Sequence, residues 1–142
     1  KMQYKLLWPT EDTVSKLEYL RFDVFEMDKT YLKENQTFYE QALLKGQVYA
    51  FGALLNNAII AGCYVSVNLN NLYIDQLFVS KKYQKDEIGK HLLEYVLKHR
   101  KLIEELTGTI LKGSFLDSCN KSQGFYEKLG YREKEGRMHK SF

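Results

Sequence analysis

Apolar residues recur with helical spacing over residues 86–106, and this stretch carries the most regular pattern in the chain. The apolar positions are Ile88, Leu92, Leu93, Val96, Leu97, Ile103 and Leu106. They occupy one face of a 3.6-residue repeat, whereas lysine, histidine and glutamate occupy the opposite face. Gly108 follows at a position where glycine commonly ends a helix. The pattern therefore predicts one amphipathic helix over 86–106.

Shorter apolar runs, separated by turn residues, predict the remaining elements. Strands are predicted over 4–8, 47–55, 59–69, 72–79, 109–115, 131–135 and 138–142. Further helices are predicted over 14–25, 31–44 and 119–129, the first of them preceded by capping candidates between Thr10 and Thr13. This order predicts a mixed α/β (α+β) fold. Its sheet is expected to be mostly antiparallel at the N-terminal side, with a right-handed parallel crossover over 72–115.

A basic loop joins the strand over 72–79 to the helix over 86–106. The first backbone N–H groups of a helix lack partners within the helix and carry the positive end of its dipole. A strand, a loop and a helix start in this order can therefore hold an anion such as pyrophosphate. Four lysines surround the loop: Lys81, Lys82, Lys85 and Lys90. They fit either an ordinary solvated surface or a patch that attracts phosphate.

The loop resembles the acyl-CoA-binding motif of the GNAT superfamily of N-acyltransferases. That motif reads Gln/Arg-x-x-Gly-x-Gly/Ala and follows a strand that ends Leu-x-Val. This chain has Leu77-Phe78-Val79 and then Gln84-Lys85-Asp86-Glu87-Ile88-Gly89, with Glu87 in place of the central glycine. A second match, to the late helix whose tyrosine serves as general acid, is Phe125-Tyr126-Glu127-Lys128-Leu129-Gly130-Tyr131. Cys119 stands where the family has an asparagine, and Asn120 is adjacent.

The resemblance implies a GNAT-like fold in a single domain over 1–142, with a mixed, mostly antiparallel central sheet, helices on both faces and a splayed parallel strand pair. It also implies an N-acetyltransferase that transfers an acetyl group from its cosubstrate acetyl-CoA to a primary amine of a small molecule or peptide by direct attack. The residues implied to bind acetyl-CoA are Leu77, Phe78, Val79, Gln84, Lys85, Glu87, Ile88, Gly89, Lys90 and Asn120. Leu77 and Val79 would offer backbone groups to the pantetheine amides, in the manner of an added strand.

Two residues are candidates for proton transfer. Tyr126 is the implied general acid, whose hydroxyl would protonate the leaving thiolate, and a core aromatic is the structural alternative. Asp75 lies within an otherwise apolar strand, where a carboxylate must be hydrogen-bonded or face a cleft, so it is the candidate base, directly or through water. Asp117 and Glu26 are weaker candidates for the base. Cys119 would support an acyl-cysteine route, which direct attack in the resembled family disfavours.

Aromatic residues are concentrated around the first two predicted helices, where the resemblance implies a wall of the acceptor pocket. The candidates for that wall are Tyr19, Arg21, Phe22, Phe25, Tyr31, Phe38 and Tyr39. Most of them are expected to be core residues, and they identify no particular acceptor.

The composition of the chain limits which binding partners and which cellular compartment are expected. The 142 residues carry a formal net charge of +3, which is too mild to indicate nucleic acid binding. No apolar run reaches the ~18 residues of a membrane span and no signal peptide is recognised, so we expect no membrane partner. Two cysteines and three scattered histidines show no metal-ligand spacing, so no metal is expected. The expectation is a cytoplasmic protein, and a homodimer is left open.

Two other functions stay open at this point. One is a non-catalytic GNAT-like module that senses a ligand or binds a protein partner, with CoA binding weakened by Glu87. The other is a small nucleotide-binding α/β domain, although the chain has neither G-x-x-x-x-G-K-[ST] nor G-x-G-x-x-G. Glu87 itself is expected in the first helical turn, where its carboxylate stabilises the dipole but repels phosphate. Its replacement by glycine is therefore expected to lower the melting temperature and to tighten acetyl-CoA binding.

Overall fold

Seven strands form one sheet in the computed structural model, which describes residues 1–142. The strands are β1 (Met2–Leu6), β2 (Tyr49–Leu55), β3 (Ala58–Asn68), β4 (Asn71–Val79), β5 (Gly113–Asp117), β6 (Arg132–Lys134) and β7 (Arg137–Ser141). The α-helices are α1 (Glu11–Val24), α2 (Leu32–Leu44), α3 (Ile88–Lys98), α4 (Arg100–Thr107) and α5 (Gln123–Lys128). The predicted order of elements is therefore present, with one additional helix.

The sheet has the strand order β1-β2-β3-β4-β5-β7-β6. All neighbouring strands are antiparallel except β4 and β5, which are parallel. The parallel register runs only from the pair Asn71 and Gly113 to the pair Tyr73 and Phe115, and beyond it the two strands part. The predicted mixed, mostly antiparallel sheet with a splayed parallel pair is confirmed.

Helices cover both faces of the sheet, as predicted. On one face, α1 and α2 pack through a buried cluster that includes Leu17, Tyr39 and Phe78. On the other face, the later helices pack through a larger cluster that includes Leu92 and Ile103. Burying each large apolar side chain stabilises the fold by roughly 1.5–3 kcal/mol relative to exposure. None of the helices combines the length and the apolar composition that crossing a bilayer requires.

A buried ion pair holds α1 against the sheet. Arg21 donates from Nε and Nη2 to the two carboxylate oxygens of Glu18, at 2.9 and 2.8 Å. The Tyr64 hydroxyl on β3 donates to the same carboxylate at 2.6 Å. The side chain of Asn35 on α2 accepts from Arg21 at 3.1 Å. Because buried charges are tolerated only when paired and hydrogen-bonded, this network fixes the position of α1 and of Phe25, which follows its last turn.

The helix predicted over 86–106 is wrong in two respects, because it begins at Ile88 and because it is interrupted. His99 lies between α3 and α4 with φ −104° and ψ 23°, outside the helical conformation. The Arg100 guanidinium donates to the Leu97 carbonyl at 2.7 Å and so satisfies a group at the end of α3. Gly108 ends α4 with φ 72°, in the left-handed conformation that a terminal glycine adopts without strain.

Other predicted boundaries are also wrong, including that of β1, which spans Met2–Leu6 rather than 4–8. β5 begins at Gly113 rather than at 109, since the Leu111 backbone N–H donates to the Glu104 carboxylate at 2.7 Å instead of to a strand. The late helix begins at Gln123 rather than at 119, because residues 119–122 form a turn. The segment before β5 satisfies backbone groups through contacts with α4 and with the turn before β4, and the segment before α5 through hydrogen bonds to the Cys119 carbonyl, and apolar patterning encodes neither.

Candidate functional site

A cavity of about 790 Å³ lies among the end of β4, the loop before α3, and α5, and we call it the loop cavity. Its lining includes most of the residues predicted to bind acetyl-CoA: Leu77, Phe78, Val79, Gln84, Lys85, Glu87, Gly89 and Lys90. Tyr126 lines the same cavity from α5. The fold therefore brings the two motifs found in the sequence to one site.

Two predicted acetyl-CoA contacts are not in this lining. The Ile88 side chain is 3% exposed and packs into the core with Leu92, because it lies on the apolar face of α3. Asn120 is exposed in the turn before α5 and lines neither this cavity nor the second one described below. The side chains of these two residues are therefore placed away from the site.

The loop is tied to the strand by one of the predicted site residues. The Gln84 side-chain amide donates to the Val79 carbonyl at the end of β4, at 3.0 Å. The first α-type hydrogen bond of α3 runs from the His91 backbone N–H to the Glu87 carbonyl, at 3.0 Å. The backbone N–H groups before His91, including that of Gly89, therefore have no partner within the helix and are available to an anion.

Glu87 does not lie in the first helical turn, which corrects its predicted position. It precedes α3 with φ 57° and ψ 24°, in the left-handed region. For a residue with a Cβ this conformation costs roughly 1–2 kcal/mol, whereas glycine adopts it freely. The family motif has glycine at this position, and the backbone of this chain keeps the conformation that glycine favours.

Lysines dominate the charge around the loop cavity. Lys85 and Lys90 line it, but Lys81 and Lys82 do not, so the predicted cluster contributes only in part. Lys81 instead forms an exposed ion pair with Glu26 at 2.8 Å. Two further lysines, Lys121 and Lys128, line the cavity from the α5 segment. The only acidic lining residue is Glu87, so the cavity attracts an anionic ligand.

A second cavity, of about 360 Å³, lies between β4 and β5 beyond the point where they part, and we call it the strand cavity. It is lined by Phe25, Tyr73, Ile74, Asp75, Gln76, Leu77, Leu116, Asp117, Cys119, Ser122 and Tyr126. Phe25, Leu77, Ser122 and Tyr126 line both cavities. The two cavities are therefore adjacent, and Tyr126 lies at their boundary.

Tyr126 is placed so that it keeps its proton. Its side chain is 6% exposed, and burial raises the pKa of its phenol, with a further increase from nearby Cys63 and Tyr131. Its ring packs edge-on against those of Phe125 and Tyr131, at centroid distances of 5.0 and 5.6 Å. The phenol is therefore neutral near pH 7, as a general acid must be, and its ring is held in place by its neighbours.

Asp75 lies on a β-bulge of β4. In the register of β3 with β4, Tyr64 pairs with Gln76 while Val65 pairs with Ile74, so Asp75 is the extra residue. Its carboxylate accepts a hydrogen bond of 2.8 Å from Ser66 and lines the strand cavity. Burial raises the pKa of this carboxyl, and the hydrogen bond from Ser66 lowers it. The carboxylate is thus both hydrogen-bonded and directed to a cleft.

The alternative candidates for the base or nucleophile are less well placed. Asp117 lines the strand cavity but accepts a hydrogen bond of 2.9 Å from Tyr73 and lies 3.7 Å from the Arg137 guanidinium. Glu26 is exposed, is paired with Lys81 and lines neither cavity. Cys119 is an exposed free cysteine at the strand cavity.

No group of three or more histidine, cysteine or acidic side chains could hold a metal ion.

Of the residues predicted to form a wall of the acceptor pocket, only Phe25 lines either cavity. Phe22 and Tyr39 are buried in the core, and Tyr19 lines neither cavity. Two lining residues, Lys121 and Lys128, were not predicted from the sequence. Lys128 lies within the late-helix motif, two residues after Tyr126, whereas Lys121 lies in the turn before it.

A comparison with protein families identifies the chain's relatives. The model of a family described as "Acetyltransferase (GNAT) domain" matches residues 16–141. Among curated proteins, none matches this chain in sequence. The family match covers both cavities and every candidate for proton transfer.

Solved structures share the fold at low sequence identity. The PaiA N-acetyltransferase of Thermoplasma acidophilum, solved in complex with coenzyme A, is 16% identical, with a TM-score of 0.73 over 100% of this chain and 99% of that one. NAA60 of Arabidopsis thaliana, solved with a bisubstrate analogue, is 15% identical, with a TM-score of 0.76 over 99% and 98%. The ribosomal-protein-S18-alanine N-acetyltransferase of Escherichia coli is 15% identical, with a TM-score of 0.72 over 99% and 94%.

Proposed function

The chain belongs to the GNAT acetyltransferase family, and on that premise we propose that it transfers an acetyl group from acetyl-CoA to a primary amine by direct attack. The observation that carries this proposal is the position of Tyr126, at the boundary between a lysine-lined cavity and a cavity that contains Asp75. One side suits an anionic acetyl donor, and the other suits an amine. Transfer would take place where the two sides meet.

The loop cavity is the proposed site for acetyl-CoA. The unpaired N–H groups of Gly89 and Lys90 at the start of α3 would bind the pyrophosphate, and the lining lysines would add charge. Beyond Tyr73 the edge of β4 that faces β5 is not paired with β5, so the Leu77 backbone and the Val79 N–H are left to pair with the pantetheine amides, while the Val79 carbonyl already accepts from Gln84. Acetyl-CoA supplies the thioester that the amine attacks.

Asp75 and Tyr126 would move the protons of the reaction. An amine must lose a proton to attack, and Asp75 would accept it directly or through one water. A C–N bond then forms and the thioester C–S bond breaks. The Tyr126 hydroxyl would donate its proton to the sulfur as the thiolate leaves, and Tyr126 would recover a proton from the nitrogen, which gives up its remaining excess proton as the amide forms. The raised pKa of Asp75 makes its carboxylate a stronger base, and the raised pKa of Tyr126 keeps its proton in place until the thiolate leaves.

A second candidate function is a non-catalytic module of the same fold. Glu87 favours it, because its negative charge lies in the lining of the proposed phosphate site. Such a module would bind acetyl-CoA weakly or not at all and would not transfer the acetyl group.

Ligand-induced stabilisation combined with a transfer assay tests the proposal. Acetyl-CoA should raise the melting temperature of the protein, because a ligand that binds only the native state stabilises it. The shift should shrink in Lys90→Ala but not in Lys82→Ala, since only Lys90 lines the loop cavity. Acetyl-CoA-dependent acetylation of at least one amine should accompany the shift. A shift without acetylation of any amine would favour the non-catalytic module, and no shift at all would overturn the site.

A further inference from the structure

The two cavities differ sharply in charge. Four lysines line the loop cavity, whereas no lysine, arginine or histidine lines the strand cavity. The charged residues of the strand cavity are Asp75 and Asp117. An acceptor that carries a carboxylate would therefore meet two like charges there, while a cationic acceptor would be attracted.

The two carboxylates belong to the two strands that part, Asp75 to β4 and Asp117 to β5. Tyr73 on β4 and Phe115 on β5 form the last pair of the parallel register. Asp75 and Asp117 each lie two residues further along their own strand, so each strand places one carboxylate just beyond the point of separation. The Tyr73 hydroxyl donates to Asp117 at 2.9 Å, and burial raises the pKa of Tyr73 to about 12, so its ring stays neutral between them.

Neighbouring groups leave this charge only partly balanced. The partner of Asp75 is the uncharged Ser66 hydroxyl. Asp117 has a cationic neighbour in Arg137, but their separation is 3.7 Å, both side chains are mostly exposed, and Arg137 lies over the Phe115 ring at 5.2 Å without lining the cavity. Such an exposed pair contributes little, so Asp117 can still receive a second cation.

The remaining lining suits a chain of methylene groups ending in ammonium. Phe25 and Leu77 offer apolar surface beside Asp75, and the Tyr73 ring offers a face toward which a cation is attracted. Phe25 is about half exposed, so it lies at the open side of the cavity, where an acceptor would enter. An aliphatic stem with an ammonium at each end would offer apolar surface and positive charge to a lining that contains both apolar side chains and two carboxylates.

We propose that the acceptor is a short linear diamine, with the reacting amine between Asp75 and Tyr126 and the second ammonium at Asp117. This inference rests on the proposed function, because it describes the acceptor side of the same site. The reacting ammonium loses one proton to Asp75, and its nitrogen then bonds to the acetyl carbon. The thioester C–S bond breaks, the sulfur leaves with the proton of Tyr126, and the second proton of the nitrogen returns to Tyr126 as the amide forms. The second ammonium stays protonated and only anchors the substrate.

Three acceptors with the same reacting end and similar length test the charge of the far end: pentane-1,5-diamine, pentylamine and 5-aminopentanoate. We expect kcat/KM to be highest for the diamine, lower for pentylamine and lowest for the aminopentanoate. The preference for the diamine should weaken as salt is added, because salt screens the attraction between its second ammonium and the exposed Asp117 carboxylate.

Asp117→Asn tests the proposed anchor. It should lower kcat/KM for the diamine roughly two- to fivefold, as expected for an exposed ion pair, while changing the value for pentylamine little. Glu127→Gln is the matched control, since it removes an exposed charge from α5 that lines neither cavity, and it should change neither value.

Equal values for the diamine and pentylamine, or an equal loss for both in Asp117→Asn, would overturn the diamine assignment and leave acetyl transfer intact. Preference for the aminopentanoate would overturn it as well. Transfer to none of the three would overturn the diamine assignment, and only a failure with peptide and other amines too would contradict the proposed function.

Discussion

The Ser66 hydroxyl donates a 2.8 Å hydrogen bond to Oδ1 of Asp75, the extra residue of the β4 bulge. Burial raises the pKa of the Asp75 carboxyl, and this hydrogen bond opposes the increase because it stabilises the ionised form. The pair therefore sets the pH at which the proposed base becomes available.

Removing the hydroxyl should shift the acidic limb of the pH profile. In Ser66→Ala the pKa of Asp75 rises further, so the acidic limb of kcat/KM should move to higher pH while the rate on the plateau changes little. Ser66→Thr retains a hydroxyl and should restore the limb. Measuring kcat/KM against pH for the parent, Ser66→Ala and Ser66→Thr checks this. An acidic limb at the same pH in the parent and in Ser66→Ala would exclude Asp75 as the base.

The raised pKa of Asp75 also implies a stability cost at neutral pH. A carboxyl whose pKa is higher in the folded state than in the unfolded chain stabilises the fold below its unfolded value, near 4, and loses that contribution as pH rises through the folded value. Asp75→Asn should therefore be more stable than the parent at pH 7, and the gain should shrink on acidification toward pH 4. Urea unfolding at both pH values measures this, and lower stability of the variant at pH 7 would contradict it.

Tyr126→Phe should lower kcat by roughly 10- to 1000-fold, the range expected for a lost general acid. Acetyl-CoA affinity should change little, because only a hydroxyl is removed. Tyr131→Phe is the matched control: Tyr131 is also buried and packs against Tyr126, but its hydroxyl donates to Ser114 at 2.8 Å and lines neither cavity. Steady-state kinetics should show a small effect in the control, and comparable losses in both variants would mean that Tyr126 acts only through packing.

Glu87→Gly should bind acetyl-CoA more tightly without loss of stability. Its φ of 57° means that glycine relieves strain, which offsets the lost interaction of the carboxylate with the α3 dipole. Repulsion between two charges ~6 Å apart is roughly 0.7–3 kcal/mol, so affinity should rise at least about threefold at low salt.

Glu135→Gly provides the control for this variant. Glu135 also has a positive φ, of 54°, but lies in the turn before β7, away from both cavities. Its replacement should relieve similar strain and leave acetyl-CoA affinity unchanged. Calorimetric titration and melting curves compare the two variants. Weaker binding by Glu87→Gly would mean that the carboxylate is part of the phosphate site.

Most of the architecture follows from the sequence because its causes are local. The apolar stripe from Ile88 to Leu97 predicts α3, and turn residues such as Gly46 and Gly136 mark where elements end. The approach of Tyr126 to the loop is implied by the family motifs, since no spacing along the chain brings two distant segments together.

The features that patterning does not predict depend on tertiary contacts. The bulge that exposes Asp75 follows from a register shift against β3, and the break at His99 from hydrogen bonds around the helix ends. The left-handed conformation of Glu87 contradicts both the preference of glutamate and the prediction that this residue lies in the first helical turn. The hydrogen bond between Ser66 and Asp75 depends on how β3 and β4 pair.

Acetyl transfer itself is measured most directly by following free CoA thiol and acetylated amine together, in a mixture of the protein, acetyl-CoA and a panel of diamines, monoamines and peptides. We expect thiol and acetylated amine to form in equal amounts with at least one acceptor, and both to fall in parallel in Tyr126→Phe but not in Tyr131→Phe. If the protein binds acetyl-CoA and yet releases no thiol above the rate without protein for any amine, it is not an acetyltransferase.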